Sequence, residues 1–221
     1  MSHILEASFQ FRHFDAADVE GTIVNMPSLK RLDLSHNIID RPPRLPPTLI
    51  SLNLSDNKRL RDLSGLAVSN LRCLRELILR DCELGSTIGL VSLASLEKLD
   101  LSNNLISKVG GLEVLTKLST LLLRDNRITH VICLRPLSCN KALENLDLRG
   151  NPVTSSNNYK ILRNYLSRNI RVLDGRKIKA RSFAQNQNGD QRVVSGSPGE
   201  GVGPISGRAS PSYSTGVIEG K

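Results

Sequence analysis

Aromatic side chains are scarce in this sequence, and tryptophan is missing altogether. Aromatic residues make up only 3% of the 221 residues, so a platform of stacked aromatics for single-stranded RNA is not expected. Long hydrophobic runs are missing too, and no stretch approaches the apolar length of a transmembrane helix. The N-terminus, MSHILEASFQF, lacks the basic region and apolar run of a secretory signal, so we expect no membrane span and no secretion.

Cysteine and histidine are present, but their spacing matches no reactive or metal-binding pattern. The four cysteines form no CxxC pair, and the four histidines are scattered without an HExxH motif or a Ser-His-Asp arrangement. A reducing compartment fits this cysteine usage best, and a disulfide between Cys133 and Cys139 is the minor alternative. We therefore predict no metal, no cofactor and no enzymatic activity.

A short leucine pattern occurs six times along the chain. Each copy fits L-x-x-L-x-L-x-x-N/C, which is the leucine-rich repeat pattern. The third leucines lie 20, 25, 22, 22 and 25 residues apart, within the range of such repeats. The copies are LKRLDLSHN at Leu29, LISLNLSDN at Leu49, LRELILRDC at Leu74, LEKLDLSNN at Leu96, LSTLLLRDN at Leu118 and LENLDLRGN at Leu143.

This pattern predicts an α/β solenoid, the leucine-rich repeat horseshoe. The three leucines of each copy should point inward, and the residues between them outward, because side chains alternate along a strand. Each copy then adds a strand to a parallel sheet on the concave face, and short helices, 3₁₀ turns or extended segments form the convex face. The Asn or Cys at the ninth position should satisfy backbone groups where the chain leaves the strand.

The segments before and after the repeats have different compositions. SFQFRHFDA is expected to act as a degenerate first repeat that covers the core, with Phe11 one repeat length before Leu34; a loose arm is the alternative. From about Arg181 the chain is rich in Gly, Ser, Pro, Asn and Gln, which predicts disorder. The predicted division is an N-terminal cap or degenerate repeat at 1–27, six repeats at 28–153, a C-terminal cap at 154–180 and a disordered tail at 181–221.

The segment NPVTSSNNYKILRNYLSRNIRVLDGRKI resembles a known C-terminal cap. It is similar to the cap of the leucine-rich repeat family that includes 22-residue-repeat regulators of protein phosphatase 1, axonemal dynein light chains and the spliceosomal A-prime subunit. In that cap an Asn-Pro pair follows the last strand, a Tyr opens a helix and a Leu-Asp pair closes the unit. The residues that match in order are Asn151, Pro152, Tyr159, Leu173 and Asp174.

The cap region is strongly basic. Between Tyr159 and Arg181 there are eight basic residues and one acidic residue, a net charge of +7 in 23 residues. A solvated helix face is one interpretation, and a contact for an acidic tubulin tail, RNA or an anionic membrane surface is the other. The candidate residues of this basic patch are Arg163, Arg168, Arg171, Arg176, Lys177 and Lys179.

The concave face is the second candidate surface. Its central row is the residue between the second and third leucines, and Ile78 and Leu122 are apolar members of a row that is otherwise polar. Apolar groups beside arginine resemble binding hot spots, although isolated surface Ile and Leu usually mean nothing. Asp33, Asp100 and Asp147 share one row and are interpreted as surface residues repeated with the motif rather than as an acid–base pair. The predicted protein-binding residues are Ile78, Arg80, Asp100, Ser102, Leu122, Arg124, Asp147 and Arg149.

These observations predict a non-catalytic, monomeric scaffold or regulatory subunit that binds another protein through its concave face. The resemblance implies phosphatase-linked or cytoskeletal and ciliary partners, in the cytoplasm or at the axoneme. The alternative is a ribonucleoprotein subunit similar to the spliceosomal A-prime subunit, located in the nucleus, with its basic cap near RNA.

Overall fold

A computed structural model of the chain describes residues 4–61, 63–68, 70–156, 159 and 169–178. They form an open sheet of nine short strands, whose order in the sheet is their order in the chain. All neighbouring strands are parallel except the last pair, which is antiparallel. The strands are β1 (Glu6–Ser8), β2 (Arg31–Asp33), β3 (Ser51–Asn53), β4 (Glu76–Ile78), β5 (Lys98–Asp100), β6 (Thr120–Leu122), β7 (Asn145–Asp147), β8 (Val172–Leu173) and β9 (Arg176–Lys177).

The repeated leucines form the core, as predicted. Each of the six copies buries its first, second and third leucine, and none of the eighteen side chains is more than 3% exposed. The parallel register brings the second leucines of successive strands opposite one another, as Leu77, Leu99 and Leu121 show. One continuous apolar column therefore runs through the stack, because each repeat covers the core of the one before it.

The ninth-position asparagines bind the backbones of two repeats at once. Asn104 donates its side-chain amide to the carbonyl oxygens of Leu101 in its own repeat, at 3.0 Å, and of Leu79 in the preceding repeat, at 2.7 Å. Its side-chain oxygen accepts from the backbone N–H of Leu84, at 3.0 Å. Asn57, Asn126 and Asn151 make the same bonds, so the predicted structural role of this position is confirmed.

Cys82 stands at the ninth position of the third copy, where the other copies have asparagine. This replacement explains why the turn after Asn57 in the second copy differs from the others. The buried thiol of Cys82 lies 3.2 Å from the carbonyl oxygen of Leu54, but a thiol has no amide oxygen to accept from the preceding turn. That turn closes on itself instead, with the N–H of Leu60 donating to the oxygen of Asn57 at 2.9 Å. Leu60 is buried and Arg59 is exposed, so the buried apolar residue of this turn comes three positions after Asn57, whereas Ile39 comes two positions after Asn37. Burial raises the pKa of the Cys82 thiol to about 11, which leaves it protonated at neutral pH.

The opposite side of the stack carries short helices of different kinds. The segment from Pro42 to Leu49 contains no helix, and the longer repeats hold helix α2 (Ser64–Val68) and a nine-residue 3₁₀ helix (Val131–Cys139). Further 3₁₀ helices lie at Ile88–Leu90, Leu112–Val114 and Pro152–Ser155. Within the described part of the chain, no helix has the length and apolar character needed to cross a membrane.

The N-terminal segment adds a strand and a helix to the stack. Strand β1 pairs with β2, and helix α1 (Ala16–Ile23) begins at Asp15, whose carboxylate accepts from the N–H of Asp18 in a capping box. Phe9 and Phe14 pack against the core.

The predicted alignment of Phe11 with Leu34 is wrong, because the strand register places Phe9 opposite Leu34. Phe11 instead lies exposed and stacks on His36 with 4.3 Å between ring centres.

A tight hairpin follows the last repeat. Strands β8 and β9 are joined by Asp174 and Gly175, both at positive φ, as a two-residue turn of type I′ requires. Asp174 accepts from the backbone N–H of Leu148 at 2.7 Å and from the hydroxyl of Tyr159, which packs against the core. The spacing of Leu162, Tyr165 and Leu166 after Tyr159 predicts a helix that covers the last repeat, but these residues and the tail from 181 lie outside the described residues.

Candidate functional site

The outward residues of the strands form straight rows across the concave face. Parallel pairing places Ile78 beside Asp100, Asp100 beside Leu122, and Leu122 beside Asp147. Ile78 and Leu122 therefore lie in one row, two strands apart, which is roughly 10 Å at the usual strand spacing. Both ends of every central strand are held by backbone hydrogen bonds to neighbouring repeats, so this row is preformed.

The two apolar anchors are half-buried rather than fully exposed. Ile78 and Leu122 each have intermediate accessibility. The expectation that both face water freely is therefore only partly met. Each still presents part of its apolar surface within a polar row, and this part is available to a partner.

Two acidic residues of the row are buried, which corrects a prediction. Asp100 and Asp147 are buried, and so is Ser102, although all three were expected on the open surface. Asp100 accepts from the backbone N–H of Ser102 at 3.0 Å, and Asp147 accepts from that of Arg149 at 3.1 Å. Carboxylates bend back in this way to satisfy N–H groups where the strand ends.

Asn53 and Asp33 make the same bond in the first two repeats. Asn53 accepts from the N–H of Ser55 at 3.1 Å, and Asp33 accepts from that of Ser35 at 2.9 Å. The amide oxygen of Asn53 and the carboxylate of Asp33 thus accept the same kind of backbone hydrogen bond. The row of Asp and Asn residues therefore caps the ends of the strands.

The arginines at the strand ends are exposed and paired with carboxylates, two of them in the row and the third, Asp125, outside it. The Nε of Arg80 lies 2.5 Å from Asp100, Arg149 lies 2.5 Å from Asp147, and Arg124 lies 2.9 Å from Asp125. The pairs hold the guanidinium groups in fixed orientations, and about half of each arginine side chain remains exposed. The surface therefore offers oriented N–H donors with its net charge largely balanced.

The electrostatics of the pair at Asp147 are set by opposing effects. Burial by itself would raise the pKa of the Asp147 carboxyl, but hydrogen bonds from the guanidinium and the backbone N–H of Arg149 outweigh it. The pKa of Asp147 therefore lies below its ordinary value, and the carboxylate stays ionised at neutral pH. Arg149 is thus held in place by the ionised carboxylate of Asp147, which lies beside Leu122 in the row.

A ladder of ion pairs borders the row on its other side. Arg31 lies 2.8 Å from Glu6, Lys98 lies 2.6 Å from Glu76, and each pair joins consecutive strands. Glu76 also accepts from the hydroxyl of Ser51, at 2.9 Å. Exposed pairs of this kind contribute little stability, but they define the polar rim of the surface.

The described part of the basic patch is divided by the terminal hairpin. Arg171 and Lys177 border a cavity of about 520 Å³ together with Ser119, Thr120 and Asn145, and Arg171 lies 3.4 Å from Glu144. On the other side, Arg176 and Lys177 border a cavity of about 730 Å³ with Arg149 and Tyr159. Arg163, Arg168 and Lys179 lie outside the described residues. The sequence pattern missed the contribution of Thr120 and Asn145, since their proximity to the cap depends on the pairing of β7 with β8.

No constellation suited to metal binding occurs among the residues that the structure describes. All four cysteines are free, and Cys73 and Cys139 are exposed. The disulfide considered between Cys133 and Cys139 is not formed.

Two family models match parts of the sequence. Residues 95–193 match one model described as a leucine-rich repeat, and residues 25–40 match another with the same description. Together with the buried leucines and the consecutive parallel strands, these matches decide the family. The chain is a leucine-rich repeat protein.

Several leucine-rich repeat proteins are similar to this one. An uncharacterized leucine-rich repeat-containing protein of Schizosaccharomyces pombe is 30% identical over 191 residues, covering 81% of this chain and 27% of the relative. The human U2 small nuclear ribonucleoprotein A′ is 35% identical over 101 residues, covering 45% of this chain and 40% of the relative. The chain thus spans well under half the length of these two relatives.

A solved structure shares both fold and sequence with this leucine-rich repeat chain. The Drosophila melanogaster SNF/U2A′ complex contains a chain that is 30% identical, with a TM-score of 0.51. The match covers 58% of this chain and 74% of that chain.

Proposed function

We propose that this leucine-rich repeat protein is a non-catalytic scaffold or regulatory subunit that binds another protein through its concave face. The observation that carries the proposal is the row of Ile78 and Leu122, half-buried and bordered by the oriented guanidinium groups of Arg80, Arg124 and Arg149. Apolar anchors beside fixed arginines are the composition of interface hot spots. A preformed surface also avoids the entropy cost of ordering on binding.

Asp100, Ser102 and Asp147 act indirectly in this proposal. The carboxylates of Asp100 and Asp147 accept from the backbone N–H groups of Ser102 and Arg149, and they also orient the guanidinium groups of Arg80 and Arg149. The partner would contact the arginines and the apolar anchors, with the buried carboxylates supporting them. No catalytic residue is assigned.

The test compares partners recovered by the wild-type chain and by the double variant Ile78→Ser, Leu122→Ser. Serine removes the apolar anchors without adding a charge beside Asp100 and Asp147. We expect recovery of the partner from native lysate to fall at least tenfold, while the thermal melt changes little. The double variant Val24→Ser, Leu105→Ser is the control, because both side chains are exposed away from this row. Equal recovery by all three proteins would contradict the concave site.

A second candidate function is a ribonucleoprotein subunit in the nucleus. It is favoured by the identity to U2 small nuclear ribonucleoprotein A′ and by the fold shared with the chain in the SNF/U2A′ complex. Purified Drosophila SNF, tested by titration calorimetry, is a direct probe: binding that depends on Ile78 and Leu122 would support this candidate. These relatives lend no such support to the phosphatase, tubulin or ciliary partners, or to a cytoplasmic location, which remain sequence-based predictions.

A contact with RNA or an acidic protein tail at the basic patch also remains a prediction. Arg171, Arg176 and Lys177 are exposed at the hairpin, where they would meet an anionic partner. Such a contact would weaken with salt, because exposed charges act through a screened field.

A further inference from the structure

Four apolar side chains project into solvent from the helical side of the stack, opposite the concave face. Ile88 is 68% exposed, Val91 42%, Val114 45% and Ile132 66%. They belong to the 3₁₀ helices of three successive repeats, at Ile88–Leu90, Leu112–Val114 and Val131–Cys139, or directly follow one of them. We call these four residues the convex strip.

The fold does not need these side chains to be apolar. The same helices are anchored by other residues, Leu90, Leu112, Leu134 and Leu137, which are at most 1% exposed. Single exposed apolar residues are common on any surface and need no explanation. Four on adjacent helices of consecutive repeats form a continuous patch, and such patches mark interaction sites.

Close packing joins the first two helices of the convex strip. A side-chain carbon at Gly111 would lie 3.1 Å from the Cγ1 of Val91 and 3.5 Å from the Cα of Ile88, so the turn that begins the second helix sits against the first helix. Gly111 has a φ of +86°, which favours glycine, and Thr87 donates to the oxygen of Gly110 at 2.7 Å.

The third helix is tied to the second by a buried amide. Asn140 donates to the carbonyl oxygens of Leu112 and Leu115, at 2.8 and 2.9 Å. The three helices therefore form one preformed surface, and no reordering is needed for a partner to use it.

The charges beside the convex strip are positive. Lys117 and Arg135 are exposed, and neither takes part in an ion pair within the described ranges. Lys141 is exposed nearby and donates to the oxygen of Ser138. Glu113 is partly buried, and its Oε2 is enclosed by the protein, so it offers little negative charge to solvent.

We propose that the convex strip docks an amphipathic helix of another protein, with acidic residues beside the apolar face of that helix. Successive repeats are spaced by at least about 4.8 Å, close to the 5.4 Å pitch of an α-helix. Apolar residues at positions i, i+3 or i+4, and i+7 of the partner would therefore meet one repeat each. Glutamates or aspartates flanking them would meet Lys117 and Arg135, and charge complementarity of this kind sets specificity. This surface lies opposite the concave site and does not depend on it.

The test uses a labelled helical peptide of about five turns, with leucines along one face and glutamates elsewhere, and the full chain of 221 residues. Fluorescence anisotropy should show saturable binding. The double variant Ile88→Asp, Ile132→Asp should weaken it at least tenfold, because the new charges would be desolvated against the leucines. Val24→Asp is the matched control, since Val24 is 70% exposed on another element and its variant should bind as the wild type does.

Further variants and a second peptide test whether charge and position both matter. Lys117→Glu, Arg135→Glu should also weaken binding, and the concave variant Ile78→Ser, Leu122→Ser should leave it unchanged. A peptide with lysines in place of the glutamates should bind at least tenfold more weakly than the acidic one. The proposal is overturned if the acidic peptide does not bind, if the lysine peptide binds as well, or if the concave variant is the one that abolishes binding. Preferential binding to anionic vesicles, or self-association that the strip variants abolish, would also overturn it.

Discussion

At the scale of single residues, the ninth position of each repeat carries the turn between strand and helix. Asn104 satisfies the carbonyl oxygens of Leu79 and Leu101 and the N–H groups of Cys82 and Leu84, all of them buried. One side chain thus replaces the water that these groups would bind in the unfolded chain. This role was predictable, because asparagine, whose side chain can both donate and accept, holds that position in five of the six copies.

Replacement of Asn104 by alanine should therefore destabilise the protein. We expect the free energy of unfolding to fall by roughly 1–3 kcal/mol, because buried backbone groups lose their partner. Denaturant unfolding followed by circular dichroism measures this change. Ser107→Ala, at an exposed position three residues further along the same loop, is the control and should be neutral. Matching curves for the two variants would mean that the turns do not depend on the amide.

The row of Asp and Asn residues on the concave face shows a limit of prediction from the sequence. The pattern placed Asp100 and Asp147 on the outward face correctly, but it did not reveal that their carboxylates bend back onto backbone N–H groups. A short acidic side chain can either face water or cap the strand end, and the choice depends on the path of the next two residues. The pattern also placed Ile78 and Leu122 on this face, but it did not reveal that both are half-buried there.

At the scale of secondary-structure elements, the hairpin of β8 and β9 ends the sheet. A parallel stack exposes a row of unpaired backbone groups on its last strand, and an antiparallel turn-back covers them. The Asp-Gly pair permits this tight turn, and Asp174 locks it to Leu148. The resemblance to a known cap identified Asp174 in advance, but the antiparallel strand β9 was not predicted, because two residues are too short for a recognisable pattern.

We expect Asp174→Ala to loosen the C-terminal end of the stack. The buried N–H of Leu148 and the hydroxyl of Tyr159 would both lose their acceptor, which should lower the free energy of unfolding by roughly 1–3 kcal/mol. Asp174→Asn is the matched variant and should lose less, since its carboxamide oxygen can accept and asparagine tolerates positive φ. Chemical denaturation of both proteins provides the measurement. An alanine variant as stable as the asparagine variant would show that the turn does not depend on this acceptor.

The N-terminal segment shows that a spacing of one repeat length is not enough to align its residues with those of the first repeat. A spacing of 23 residues favoured Phe11 as the counterpart of Leu34, whereas the strand register selects Phe9. Both residues are phenylalanines, so hydrophobicity could not decide between them. Only the pairing of Ala7 with Leu32 settles the alignment, and that pairing depends on backbone hydrogen bonds that no local pattern encodes.

At the scale of the whole molecule, carboxylates with lowered pKa values are distributed along the stack. Hydrogen bonds to backbone N–H groups, basic side chains or hydroxyls lower the pKa of Asp15, Glu20, Asp33, Glu76 and Asp147. A group whose pKa is lower in the folded state adds stability at pH values above its unfolded pKa, which is about 3.9 for Asp and 4.3 for Glu. That contribution is lost as the pH falls through the folded-state values.

The protein should therefore lose stability below about pH 4, and Asp147 should account for part of the loss. We expect Asp147→Asn to keep the strand-end bond, as Asn53 does, but to lose the charge-assisted bond to Arg149. At pH 7 the variant should be roughly 1–3 kcal/mol less stable, and its curve should approach the wild type as the Asp147 carboxyl becomes protonated. Urea unfolding between pH 7 and pH 2 measures both curves, with Asp40→Asn at an exposed site as the control for the change in charge. If the Asp147→Asn curve ran parallel to the wild type over this range, ionisation of Asp147 would not be linked to folding, and the ion pair with Arg149 would only orient the arginine on the concave face.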